Sequence, residues 1–114
     1  GLTKTRVQNA KIAIDNRNIE KELVQKDLER NVANAWETYQ NSLFVLSAEK
    51  KNVETNNNNF ERSVEQFKLG QITSIEFRQA QLNFLNAQTS FNNAKFDTKL
   101  REIQLLQLVG KLID

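Results

Sequence analysis

The chain has 114 residues, of which 39% are hydrophobic and 26% are charged, and a net charge of +2 from 16 basic and 14 acidic side chains. It contains no cysteine and no histidine, which excludes disulfides, cysteine nucleophiles and every metal site that needs those ligands. Lys and Arg alternate with Asp and Glu along the whole length, as on a solvated helix surface, so nucleic-acid binding is not expected.

The first predicted element is one long helix over residues 3–68. Apolar residues recur along it at intervals of seven: Val32, Tyr39, Leu46, Val53, Phe60 and Phe67. Such a repeat is typical of a helix that packs along a partner helix. Four asparagines at 56–59 would favour a loop by propensity alone, but the repeat passes through them unbroken. We therefore predict a single helix of about 65 residues, roughly 100 Å long.

The predicted turn covers residues 69–73. Gly70 is the sole glycine in the middle of the chain, and no proline occurs. It fits the left-handed residue that commonly follows the end of a helix. Thr73 fits an N-cap for the next helix, and Glu76 completes a capping box in which its carboxylate reaches back to the Thr73 amide.

The second predicted helix spans residues 74–109, about 37 residues, with Gly110 as its terminator. A phenylalanine repeat with alanines three residues behind each member runs along it: Phe77, Phe84 and Phe91 with Ala80, Ala87 and Ala94. The alanines let two helices approach closely between the large side chains. The predicted fold class is therefore all-α, a long antiparallel helical hairpin of the coiled-coil type.

The two repeats also predict the register of the hairpin. Antiparallel partners should have residue numbers that add up to about 144, which pairs Phe67 with Phe77, Phe60 with Phe84, Val53 with Phe91, Leu46 with Thr98 and Tyr39 with Leu105. Trp36 and Tyr39 could form a binding platform, but packing in the helix seam is the favoured interpretation. A second apolar stripe faces away from the seam: Leu82, Leu85, Phe96, Leu100, Ile103 and Leu106. Two stripes on one helix predict that the hairpin belongs to a larger wall of helices.

Four segments, taken in order, resemble the C-terminal helical hairpin of the TolC-like outer membrane efflux proteins. The order and spacing of these segments carry the resemblance, which covers the whole chain. They are the opening Gly1-Leu2 with residues 4–10, the turn Leu69-Gly70-Gln71, the stretch from Ile75-Glu76 to Ala80-Gln81-Leu82, and the closing residues 105–112.

The resemblance implies a periplasmic segment of a homotrimeric duct in a Gram-negative bacterium. In that family a β-barrel in the outer membrane continues as a long α-helical barrel, used in multidrug efflux and type I secretion. The hairpin tips close the periplasmic entrance and meet an adaptor, or membrane fusion protein, which joins an inner-membrane pump. By the same resemblance, this chain is an excised piece of a larger protein.

Two groups of residues at the tip become candidate sites through this resemblance. Leu69, Gly70 and Gln71 would form part of the surface that meets the adaptor, in addition to the backbone role of the glycine. Glu76 would point into the periplasmic entrance and form a ring of carboxylates in the trimer, in addition to its capping role. The family's second acidic position matches Gln79, and a basic tip residue of some relatives matches Ile72. A double ring and a salt-bridged latch are therefore not implied here.

A structural coiled-coil hairpin, from a periplasmic adaptor or another helical scaffold, is the alternative. Adaptors of this kind carry an Arg…Leu…Ser pattern at their tip, which residues 62–74 do not reproduce acceptably. The chain offers no nucleophile–base set, ligand cluster or phosphate loop, so we expect no enzymatic activity, no cofactor and no metal.

The unequal lengths of the two helices predict one more property. The shorter helix can cover the longer one only back to about residue 35, so residues 3–34 project without a partner. They nevertheless carry apolar side chains: Val7, Ile12, Ile14, Ile19, Leu23, Val24, Leu28 and Val32. The isolated chain is therefore expected to self-associate, most simply as a two-fold antiparallel dimer.

Overall fold

In a computed structural model that describes all 114 residues, the chain forms two α-helices, α1 over Leu2–Lys68 and α2 over Ser74–Ile113. They contain 67 and 40 residues and pack antiparallel as a hairpin of 101 × 21 × 14 Å. The predicted helical hairpin is confirmed. Neither helix contains a stretch apolar enough to cross a membrane.

The seam between the helices has the predicted register near the turn. The rings of Phe67 and Phe77 stack with their centroids 4.7 Å apart, and those of Phe60 and Phe84 stack at 5.7 Å. Phe60 also contacts Phe77 at 5.8 Å. Large rings therefore fill the seam from both sides near the turn. Ala87 and Ala94, further along α2, are buried and let the two backbones approach closely.

Further from the turn, the closest approach involves small polar residues. Thr98 Oγ1 donates to the backbone carbonyl of Ser42 at 3.2 Å, and both residues are buried. Ser42 lies one helical turn away from Leu46, the predicted neighbour of Thr98. A serine at this position leaves room for a hydroxyl on α2 to reach the backbone of α1, which a large side chain would prevent.

The four asparagines are helical, as the unbroken repeat predicts. Asn56 Nδ2 donates to the carbonyl of Asn52 at 2.9 Å and so satisfies its amide within the helix. Asn57 Nδ2 points along the surface toward Glu61 Oε1, at 3.4 Å. The apolar repeat on both sides of this stretch therefore outweighs the weak helix propensity of asparagine.

The predicted end of the second helix is wrong. α2 passes through Gly110 and ends at Ile113, with the amide of Asp114 donating to the Gly110 carbonyl at 3.2 Å. A glycine weakens a helix by about 1 kcal/mol but does not stop it. Leu108 and Leu112, on either side, lie half-buried against α1, and this packing carries the helix past the glycine.

Of the two aromatic residues predicted to pack in the seam, Tyr39 does so and Trp36 does not. Tyr39 lies half-buried in the seam as expected, with its ring 6.2 Å from that of Trp36. Trp36 itself remains 53% exposed, so its interpretation as a core residue is wrong. It sits at the edge of the seam, where more than half of its surface meets solvent.

Much of the apolar surface of the hairpin has no partner. The second stripe of α2 faces solvent as predicted, with exposed fractions from 43% at Ile103 to 78% at Phe96. At the other end of the molecule, every residue from 1 to 27 is exposed. Leu28 and Leu112 are the last half-buried residues at the open end of the hairpin, so about 39 Å of α1 projects beyond α2.

Candidate functional site at the hairpin tip

The tip begins with a tightly bonded end of α1. Gly70 has a positive φ of 71°, the left-handed conformation that the sequence predicts for it. Its amide donates to the carbonyl of Phe67 at 3.0 Å, and the amide of Gln71 donates to the carbonyl of Gln66 at 2.8 Å. These two bonds form a Schellman motif, which satisfies carbonyls that the helix end would otherwise leave free.

The start of α2 is capped by one side chain. Thr73 is in an extended conformation, and its Oγ1 accepts from the amide of Glu76 at 3.1 Å. The expected second half of the capping box is absent, because the Glu76 carboxylate makes no hydrogen bond to the Thr73 amide. That carboxylate is exposed to solvent, where water competes for the same acceptor atoms.

The rings beneath the turn hold the two helix ends together. Phe67 is the next-to-last residue of α1, and Phe77 lies in the first turn of α2. Their stacked contact, together with the contact between Phe60 and Phe77, brings both caps to one place. Aromatic pairs of this kind contribute about 0.5–1.5 kcal/mol beyond the area they bury. The tip is therefore a fixed shape rather than a loose loop.

The outer surface of this fixed turn is apolar. Leu69 is 71% exposed and Ile75 is 80% exposed, whereas Ile72 between them is half-buried. A Cβ built on Gly70 would meet no atom within 4 Å, so the surface beside the glycine is open. Leu69, Gly70 and Gln71 thus lie together at the extreme end of the molecule, as predicted.

Glu76 lies in the first turn of α2 and has no partner for its charge. None of the four ion pairs of the chain includes it. Gln79, one turn further along α2, donates to Asn83 Oδ1 at 2.9 Å and carries no charge. The carboxylate of Glu76 is therefore available to solvent or to another molecule.

Sequence reasoning missed the part that Ile75 contributes to the tip. With Ser74, Arg78, Gln79 and Leu82 it lines a shallow groove along the first two turns of α2. Ile75 and Leu82 are seven residues apart and lie on the face of α2 that carries the second apolar stripe. Extending that stripe backward by one heptad would have identified Ile75.

Away from the tip, the main depressions of the hairpin are shallow. No group of three or more acidic residues is arranged to hold a metal ion. The largest depression is shallow, lies along the projecting part of α1 near Lys21 and Lys26, and is lined only by polar and charged residues. The chain matches no protein-family model, no curated protein and no solved structure.

Proposed function

We propose that the chain is a wall segment and docking tip of a homotrimeric outer membrane efflux or secretion duct. In this proposal the hairpin lies in the periplasm, and its tip meets an adaptor protein that connects the duct to an inner-membrane pump. The chain has a passive role as duct wall, and we assign it no enzymatic activity. The features below support this function.

The first support is the distribution of apolar side chains around α2. Seam residues such as Ala94 and Thr98 face α1, while Phe96 lies between them in sequence and is 78% exposed. Residues two positions apart point to nearly opposite sides of a helix. A helix that is apolar on two opposite sides suits a side-by-side row of helices, such as the wall of a tube, better than a compact bundle.

A second support is the lack of charge in one stretch of α2. Between Gln79 and Ala94 there is no ionisable side chain, although 26% of the chain is charged. Leu82 and Leu85 are about half exposed within this stretch, among asparagines and glutamines. Depletion of charge around exposed leucines is typical of surfaces that become buried in protein–protein interfaces.

The observation that carries the docking role is the apolar surface at the rigid tip. Leu69 and Ile75 are the most exposed large apolar residues at that end, and they flank a left-handed glycine. Exposed aliphatic side chains held on a fixed backbone lose little entropy when a partner covers them. The open space beside Gly70 would let the backbone of a partner approach the turn.

Two substitutions of Gly70 test docking in the full-length protein. Gly70→Ala and Gly70→Trp both place an L side chain at positive φ, with a similar strain of about 1 kcal/mol. Their Cβ atoms meet nothing inside the chain, so only the tryptophan obstructs an approaching partner. We expect Gly70→Trp to abolish most efflux and adaptor cross-linking while trimers still assemble in the membrane.

Gly70→Ala is the matched control and should retain most transport. Normal export by Gly70→Trp would contradict the docking role and leave a structural hairpin of a periplasmic adaptor or other scaffold as the better function. Equal loss in both variants would show that strain in the turn, and not access to it, matters for transport.

A further inference from the structure

Residues 4–28 of α1 and residues 89–113 of α2 each leave one face uncovered, and the two faces follow the same spacing. Seam positions on α1 follow steps of three and four residues, and the same steps continue into the projecting half: Lys4, Val7, Lys11, Ile14, Asn18, Lys21, Gln25 and Leu28. The outer face of α2 has the same steps: Thr89, Asn92, Phe96, Lys99, Ile103, Leu106, Gly110 and Ile113. Each of these two rows of residues extends along about 37 Å of helix.

We propose that the outer face of α2 is a docking surface for a second copy of this chain, specifically for residues 4–28 of its α1. The inference concerns the isolated 114-residue chain. It does not rest on the proposed homotrimeric duct, in which other helices of the longer protein would cover this face instead. In the resulting dimer, α2 lies between the α1 of its own chain, on the seam side, and the projecting half of the partner's α1 on the other side.

A two-fold axis allows both contacts to form at once. The second hairpin points in the opposite direction, and its α2 continues the line of the first α2 end to end. Both α2 helices then form a middle row between the two long α1 helices. This arrangement is isologous and closed, since each copy donates one outer face of α2 and one projecting half of α1 and no matching face remains to add a third copy.

Two pairs in this register have clearly complementary chemistry. Leu28 lies beside Ile113 of the other copy, where the two apolar side chains can pack. Lys11 lies beside Phe96, so its stem covers the ring and its ammonium group can lie over the ring face. The chain already contains such a pair within α2, where Lys95 Nζ lies 4.2 Å from the centroid of Phe91.

The surface that this contact would bury is large enough for a stable dimer. On each copy the contact covers the exposed parts of Val7 and Ile14, at 63% and 58%, and of five residues on α2: Phe96, Leu100, Ile103, Leu106 and Ile113. With the stems of the lysines, each copy would bury on the order of 800 Å², which is what a partner contributes to a standard interface.

Sedimentation velocity and light scattering of the 114-residue chain, from low to high micromolar, test the dimer. Two matched variants then test the face. Phe96 and Phe44 are 78% and 76% exposed, and only Phe96 belongs to the proposed contact. We expect dimers for the unmodified chain and for Phe44→Lys, and dimerisation weakened by at least about tenfold for Phe96→Lys, which is about 1.4 kcal/mol.

Cross-linking tests the two-fold geometry, because the chain has no cysteine of its own. Asp114→Cys lies where the two α2 helices meet near the axis and should form a disulfide-linked dimer under mild oxidation. Gln71→Cys, at the far tip, should not. A fully helical monomer at high micromolar concentration would overturn the proposal. So would a dimer that tolerates Phe96→Lys, or one that is cross-linked through residue 71 and not through residue 114.

Discussion

The hydroxyl of Thr98 bonds across the seam to the carbonyl of Ser42 at 3.2 Å and lies 2.8 Å from the carbonyl of Ala94 in its own helix. A hydroxyl on one helix can reach the backbone of another only where the side chains between them are small. Ser42 and Thr98 are also two of the five buried residues of the chain. The middle of the hairpin is therefore defined by close backbone approach, whereas the tip is defined by stacked rings.

Enlarging Ser42 should force the helices apart. We expect Ser42→Leu to lower the free energy of unfolding by about 1–3 kcal/mol, because the added volume has no cavity to enter. Urea denaturation at one fixed protein concentration, followed by circular dichroism, measures this. Ser47→Leu, on the exposed surface of the same helix, should change stability by less than about 0.5 kcal/mol. Equal effects of the two substitutions would mean that the seam is not tightly packed at Ser42.

The large side chains of the seam were sufficient to predict the fold. The repeat through Phe60 and Phe67 and its counterpart through Phe77 determine the direction of the hairpin, its turn and the register near the turn. Gly70 and Thr73 then locate the helix ends, since each has one well-defined backbone role. These signals are local or strictly periodic, so they can be recognised in the sequence without the structure.

Other features depend on how much of each helix the partner covers. Gly110 looks like a terminator until Leu108 and Leu112 are seen to pack on α1. Trp36 looks like a core residue, but it lies at the edge of the seam. The apolar tip at Leu69 and Ile75 is visible as sequence, yet its exposure follows from the orientation of the turn.

A half-buried carboxylate in the seam predicts that one substitution will stabilise the hairpin. Glu49 Oε2 is buried and has no hydrogen-bond partner. Leaving a buried polar group unsatisfied costs about 1–3 kcal/mol, so Glu49→Ala should raise the free energy of unfolding by about 1 kcal/mol or more. Glu54→Ala is a matched control, since Glu54 is exposed on the same helix and both substitutions bring the same gain in helix propensity. A less stable Glu49→Ala variant would contradict this account.

The free charge of Glu76 predicts a change in ion selectivity if the duct proposal is correct. In a full-length trimer, Glu76→Gln keeps the size of the side chain and the Thr73 cap, because that cap uses the backbone amide of residue 76. It removes one negative charge per subunit from the entrance, and a ring of carboxylates favours cations. Cation selectivity in planar bilayers should therefore fall. Unchanged selectivity, with Glu61→Gln as the control away from the tip, would limit Glu76 to a role in the helix end.

Replacing each of the two internal glycines by alanine should change the free energy of unfolding in opposite directions. Gly110 lies within α2, has no positive φ, and a Cβ added there would meet no atom within 4 Å. Gly110→Ala should therefore stabilise the chain by about 0.5–1 kcal/mol, since alanine loses less backbone entropy in a helix. Gly70→Ala also meets open space but must adopt a φ near 71°, so it should destabilise by about 1 kcal/mol. Urea denaturation of both variants measures whether the free energy of unfolding rises or falls in each. A destabilised Gly110→Ala variant would show that this glycine ends the helix in solution, as its position in the sequence first suggests.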